Sequence, residues 1–463
     1  MKRTLNLGWV LCLAGCGTLT ESDYQRPDLA LPAWQQQDTG SEYLQHSGRW
    51  WQQFNDPTLS AIIEQALVAN NDLLQAGLRL KQARIQHELT AGNLTPSVSA
   101  GGNAGNSKSL KADREPAENY SASLNVGYEL DVWGKLARTR DQAQWEAEAS
   151  AQDLQETARV LIGTTAQLYW QISQYNHQLE QLAQIQTLRE ETERLVRARY
   201  QAGNEAREGV LQAEQRVLDG ANQIHHVQAE REKSRDALAL LLGRPPSQPL
   251  PEGKPAADAA PVTVTLSAPL DIIAHRPDVQ AAEWRLRAAL AGSDAARLSF
   301  YPTLSLSAAL NAGNALFRQW FDNPARTLGT TLSLPFLEWN KVQLTVENAQ
   351  ISVRQASLEF RNSVYRALSQ VADAQAERQA AVQNLTFLQK SVTLNQQSAD
   401  LTRSRYLAGA VPLSEWLAAQ ENLFTNHINL VDARIRYLNA TLTLCLAMGY
   451  DGRDVLPDQA KGP

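Results

Sequence analysis

The stretch Arg405-Tyr406-Leu407-Ala408-Gly409, continued by Val411-Pro412-Leu413-Ser414-Glu415-Trp416-Leu417, reads as a tight reversal between two long helices. An earlier copy stands at Arg199-Tyr200-Gln201-Ala202-Gly203, followed by Val210-Leu211. Gly203 and Gly409 are 206 positions apart. The same offset relates Asn71-Asp72-Leu73 to Pro277-Asp278-Val279, and Pro96-Ser97-Val98 to Pro302-Thr303-Leu304. It also relates Trp133-Gly134-Lys135 to Trp339-Asn340-Lys341, and Leu242-Gly243 to Met448-Gly449. A period this long is no solenoid repeat, which recurs every 20–50 residues or so, but the duplication of a whole supersecondary unit.

Each unit contains the same signals. From Leu59 to about Asn93 apolar residues recur at helical spacing, and Asp56-Pro57 supplies a cap and a first-turn proline. The spacing predicts one helix that Pro96 ends. Next, Tyr120, Ala122, Leu124, Val126, Tyr128, Leu130 and Val132 alternate with Ser121, Ser123, Asn125, Gly127, Glu129 and Asp131. Period two gives a strand with one dry and one wet face. Its length suits a tilted membrane strand, and a strand of a soluble sandwich is the other option. In the second unit Leu304–Leu310 and Leu328–Phe336 repeat the pattern around an aromatic loop, Phe317-Arg318-Gln319-Trp320-Phe321. Two hairpins make four strands. Four strands cannot close a spanning barrel, and an open sheet edge cannot face lipid, so several chains must pool theirs.

Beyond Lys135 nothing breaks the helical pattern until Gly203, which at about 1.5 Å per residue predicts a helix of roughly 100 Å. Leu154, Ala158, Leu161, Thr165, Leu168, Ile172, Tyr175, Leu179 and Leu182 form a 3.5-residue seam. Phe360, Val364, Ala367, Val371, Ala374, Arg378, Ala381, Leu385 and Leu388 repeat it, with Arg378 as the one break. Seven prolines between Arg244 and Pro269 mark a linker.

Lys2 and Arg3 followed by the apolar stretch Leu5–Ala14 have the form of a secretory signal. Leu13-Ala14-Gly15-Cys16 resembles a bacterial lipoprotein cleavage box, which makes Cys16 the lipid-modified (palmitate-bearing) first residue of the mature chain. Several acyl chains anchor stably where one does not. The alternative is an ordinary signal peptide with a chance cysteine. Gly17 rather than aspartate follows Cys16, which points to the outer membrane. The organisation expected is therefore a signal over 1–15, an extended tail over 16–56, repeat one over 57–243, a Pro-rich linker over 244–269, repeat two over 270–449 and a tail over 450–463.

The net charge of −6, from 43 Lys and Arg against 49 Asp and Glu, gives no basic face for nucleic acid. The longest later apolar run, Ala237–Leu242, is far short of the ~20 residues of a membrane helix. The seven histidines are scattered, and adjacent His225 and His226 do not converge as zinc ligands at i, i+4 would. No phosphate loop, nucleophile elbow or Cys-x-x-Cys occurs. No catalytic residue, cofactor or metal site is expected. Met1 and Met448 are the only methionines, too few for a Cu(I) cluster.

Taken together, Trp50-Trp51 with Phe54, Asp56-Pro57, Asn70-Asn71-Asp72-Leu73, Tyr128-Glu129-Leu130-Asp131-Val132-Trp133-Gly134-Lys135 and the two Arg-Tyr-x-Ala-Gly turns resemble the outer-membrane efflux family, the TolC-like channels. The likeness is to the lipoprotein branch that serves resistance-nodulation-division pumps. It implies a mostly helical homotrimer, with a shared transmembrane β-barrel continuous with a long periplasmic helical barrel. It also implies a periplasmic adaptor and an inner-membrane pump as partners. In such a channel the turns form the periplasmic tip. Tyr406 and Glu415 match gate positions, whereas Val411 and Ala418 stand where some members carry arginine and a second acid. Three Glu415 carboxylates around an axis would select cations. The other reading of Glu415 is a solvated glutamate favoured by a helix N-terminus. Tyr200, Gly203, Arg207, Glu208, Leu211, Gly409 and Leu417 are the expected adaptor-docking residues. The function expected is a passive exit duct for multidrug efflux. The rivals are a channel for protein secretion by an ABC exporter and a structural coiled-coil lipoprotein.

Overall fold

The computed structural model describes residues 22–28, 48–108, 116–252, 275–315, 317–319 and 321–450. Cys16, the signal region and residues 253–274 of the linker region lie outside the described residues. In chain order the elements are α1 (Pro57–Ala69), α2 (Asn71–Gly92), β1 (Ser97–Ser107), β2 (Ala117–Leu130), α3 (Lys135–Gln201) and α4 (Arg207–Leu241). The second series runs α5 (Pro277–Leu298), β3 (Thr303–Asn314), β4 (Ala325–Ser333), α6 (Trp339–Leu407) and α7 (Leu413–Ala447). Helices α2 and α5 are both 22 residues long, and α4 and α7 are both 35.

The single helix expected over Leu59–Asn93 is two helices. The chain breaks at Asn70, whose backbone is extended (φ −71°, ψ 126°). Its side-chain oxygen accepts from Leu73 N at 3.0 Å and so caps α2, while its amide donates to Leu241 O at 3.1 Å. A short polar side chain that bonds nearby backbone competes with the helix even where the apolar spacing runs on. Arg276, 206 positions later, is also buried and donates to Ala447 O at 3.0 Å. Ala447 is the counterpart of Leu241, so the two repeats preserve one contact with unlike side chains. The strand expected over Tyr120–Val132 starts earlier and ends at Leu130, because the Asp131 carboxylate accepts from Leu136 N and Ala137 N and so begins α3. The strand expected to reach Phe336 ends at Ser333, with a 3-10 turn over Pro335–Glu338.

Two units form, and each draws on both repeats. One comprises the described residues within 22–28, 79–152 and 279–363. It holds a four-stranded antiparallel sheet in the order β1-β2-β3-β4. Its register pairs Val98 with Val126, Leu124 with Leu310, Tyr128 with Leu306, and Leu304 with Leu332. Directly paired residues share a face, so every apolar set lands on one side. Ser123, Asn125, Asn311 and Thr331 fall on the other. Every residue of β1 is exposed.

In the same unit Trp145 of α3 stacks on Trp284 of α5 at 5.2 Å, and the Arg287 guanidinium lies between the Trp284 and Tyr24 rings. Ser22 bonds Asp294 through its N–H (2.8 Å) and hydroxyl (2.6 Å), and Arg26 pairs with Glu283 at 2.7 Å. Burial alone would raise the Glu283 carboxyl, but hydrogen bonds from Arg26 and Arg287 carry it below the usual range. Burial and that carboxylate push the Tyr24 phenol up to about 12.

The other unit comprises the described residues within 48–78, 153–278 and 364–450. Its core gathers Trp50, Trp51, Phe54, Leu59, Ile62, Ile63, Trp170 and Tyr450, all buried. Each large apolar side chain there contributes about 1.5–3 kcal/mol. Asp56 caps α1 through Thr58 N and Leu59 N and accepts the Tyr169 hydroxyl at 2.8 Å. The seam positions Leu154, Ala158, Leu161, Thr165 and Ile172 are buried, as are Val364, Ala367, Val371 and Ala374. Arg378, the break in the second seam, lies over the Tyr437 ring at 5.9 Å and donates to Thr441.

Candidate functional site at the helical turns

Both hairpins reverse by the same local chemistry. Gly203 has φ +74° and Gly409 φ +73°. Asn204 N donates to Arg199 O, and Ala410 N to Arg405 O, each at 2.9 Å. These six-to-one bonds close the helix end around a left-handed residue, which glycine supplies without a Cβ penalty. No atom lies within 4 Å of a Cβ built at either glycine, so backbone conformation alone sets the requirement.

The flanks differ. In the first turn Tyr200 and Leu211 are exposed, and Arg207 and Glu208 open α4 facing solvent. Gln212 donates to Glu208 at 3.2 Å. Val196, Val210 and Ala213 form the small core that holds α3 to α4. Arg197 strengthens it by pairing with Glu193 and, at 2.7 Å, with Glu214. In the second turn Val411 is buried, and Pro412 takes the N-cap position of α7. Glu415 sits in the first turn of α7, exposed, with its N–H donating to Pro412 O at 3.2 Å. The backbone of Tyr406 lies in the last turn of α6, and its side chain lies outside the described residues.

The structure brings the two hairpins side by side. Leu417 of α7 shares a cleft with Ile185, Leu188 and Thr192 of α3 and with Ala213 of α4. Arg189 pairs with Glu421 at 3.3 Å across the same joint, and further along Gln174 donates to Asp432 at 2.7 Å. Sequence reading missed Arg189 and Glu421 as joint residues. The offset gives no signal for them, since Arg189 answers to Asn395 and Glu421 to Gln215. His225 and His226 both face solvent, and among the described residues no three His, Cys, Asp or Glu side chains gather as a metal site. Among the described residues no helix is long and apolar enough to cross a membrane.

The profile of the family described as "Outer membrane efflux protein" matches residues 62–244 and 268–450. The chain is 30% identical to the probable efflux pump outer membrane protein TtgC of Pseudomonas putida, covering 94% of this chain and 93% of that one. It is 28% identical to the cation efflux system protein CusC of Escherichia coli K12, over 95% of this chain and 97% of that one. Among solved structures it is similar to the outer-membrane channel OprN, with TM-score 0.80, 26% identity and coverage of 93% and 98%.

Proposed function

Because the chain belongs to the outer membrane efflux protein family, we propose that it is the outer-membrane exit duct of a tripartite multidrug efflux pump, opened at its periplasmic end by an adaptor and an inner-membrane transporter. One observation carries this reading: a four-stranded sheet with one face apolar through its middle and a free edge on each outer strand, attached to helices of 67 and 69 residues. Lipid would hold the apolar face at no cost, and only other chains can satisfy the free edges. Three copies would give a twelve-stranded barrel, within the range of outer-membrane barrels. The long helices would continue it through the periplasm. A structural coiled-coil lipoprotein gives the sheet no task. Acylated Cys16 would anchor the same copies in the outer membrane.

The turns serve the tip. Tyr406 and Glu415 line the gate, and three exposed Glu415 carboxylates form a cation-selective ring. Tyr200, Gly203, Arg207, Glu208, Leu211, Gly409 and Leu417 form the docking surface, its charged part on the first hairpin. The unlike flanks of two equal turns support this division. Single-channel conductance in a planar bilayer, wild type beside Glu415→Ala, tests the reading. Small cation-preferring openings that lose their preference in the variant are expected. Silent bilayers with trimers shown to be inserted would overturn the duct, and an unchanged ion preference would overturn the ring.

A further inference from the structure

Among the described residues only two charged side chains stand on the apolar face of the sheet, Glu118 of β2 and Arg326 of β4. The Tyr120 hydroxyl donates to Glu118 at 3.1 Å. Arg326 is exposed, lies opposite Leu310 in the ladder, and makes no ion pair with any described acid. A guanidinium beside leucine is out of place in hydrocarbon unless an anion meets it.

The stagger of the ladder fixes the level of Arg326. Strands β1 and β2 pair outward, away from the helices, as far as Ser107 and Ala117. The outermost pair of β3 with β2 is Asn314 with Tyr120, and β4 begins only at Ala325, opposite Asn311. The outer ends thus step back from strand to strand, as the tilted strands of a barrel do. Arg326, the second residue of β4, therefore stands at the outer margin of the sheet, although Leu124 in its own row lies well inside β2. The cost of arginine on a lipid-facing strand falls steeply from the midplane to the interface.

Inward from Arg326 the same face is grooved. Ala308 sits between Val126 and Leu328, and its small side chain leaves a trough of about 430 Å³ that continues past Tyr128, Leu306 and Thr330. From the row of Arg326 to the row of Thr330 is about 13 Å, at roughly 3.3 Å per residue. A cation at the margin above an apolar trough is complementary to a lipid, with its anion at the surface and its chain beneath.

Resting on the barrel reading above, we infer that Arg326 and the Ala308 trough hold a phosphate-bearing lipid of the outer leaflet, one for each copy of the chain. The phosphate accepts from the guanidinium, whose planar fork matches it with two parallel hydrogen bonds. One acyl chain lies in the trough against Ala308. The bound lipid neutralises the cation and fills the trough, so the outer rim of β4 meets the membrane with neither charge nor gap.

The test is native mass spectrometry of the full-length protein released from detergent and titrated with diphosphoryl lipid A, a glycolipid with two phosphates and several acyl chains. Wild type should bind it saturably, with one lipid per chain of the assembly. Arg326→Gln should weaken binding by about fivefold or more. Arg326→Lys should weaken it only about twofold, since an ammonium keeps the charge without the fork. Ala308→Phe fills the trough and leaves the charge, and should weaken binding about threefold or more. Lys341→Gln, which removes an exposed cation at the helical end of the sheet, should change nothing. Inorganic phosphate in large excess should not displace the lipid. Equal uptake by Arg326→Gln and wild type overturns the site. Displacement by phosphate, with Ala308→Phe binding as wild type does, reduces it to a bare anion site and overturns the lipid. A single-chain mass for wild type overturns the barrel reading itself.

Discussion

At the scale of the residue, Arg276 shows how a duplicated fold holds together after its halves have diverged. It is 1% exposed, yet each of its three guanidinium nitrogens donates. Asp278 accepts at 3.0 and 2.7 Å, Gln370 at 2.8 Å and Ala447 O at 3.0 Å. Asn70 does the corresponding task with a neutral amide and one carbonyl. A buried ion pair is weak evidence of net stability, but removing one partner strands the other, at about 3–5 kcal/mol. Arg276→Met should therefore lower unfolding free energy by roughly that amount, read as a shift in denaturant midpoint. Asn70→Ala, which strands no charge, should cost only about 1–3 kcal/mol. Equal losses would mean that the charge at 276 carries no special burden. Nearby, burial pushes the Cys445 thiol up to about 12, which keeps it protonated and inert in the folded chain.

At the scale of the element, the two turns test whether glycine is needed for its backbone or for space. Left-handed backbone costs an L-residue roughly 1–2 kcal/mol. Gly409→Ala and Gly203→Ala should each destabilise by about that amount, with Gly409→Asn closer to wild type because asparagine tolerates the region. Thermal unfolding checks the order, and a fall with asparagine as large as with alanine would point to a steric cause. These turns were legible because Gly with its Arg-Tyr lead-in recurs at a fixed offset. The strands were legible because Tyr120–Leu130 alternates without a break. The interruption at Asn70 was not, since Leu67, Leu73 and Leu74 keep helical spacing through it and the deciding bond reaches Leu241, far away in sequence. Arg276 was hidden for a related reason: unlike side chains occupy the two equivalent sites. Of the candidate site, the turn backbones could be read from sequence. The proposed gate could not, because a ring of Glu415 carboxylates would be a property of several chains and would leave no trace in the neighbours of one.

At the scale of the whole molecule, one chain is visibly incomplete. Leu328 and Leu332 of β4 are more than 60% exposed on the apolar face, and no described residue of the same chain buries them. In water such a strand is an aggregation hazard, with an edge that offers its peptide groups to any other chain. In a lipid-embedded barrel the same residues are at ease. The two environments predict opposite responses to a charge. Leu328→Lys places an ammonium on the face assigned to lipid, which costs about 2–4 kcal/mol near the membrane midplane. Thr331→Lys places it on the opposite face, toward a water-filled lumen, where the same change should cost little. Both side chains start exposed, so the isolated chain gives no reason for either to misfold. The yield of heat-resistant trimers in outer-membrane fractions, with total protein measured in parallel, separates the two. A large loss for Leu328→Lys beside near-normal assembly for Thr331→Lys is the expected pattern. Equal yields would mean that the sheet does not meet lipid with its apolar face, and the reverse pattern would turn the barrel inside out.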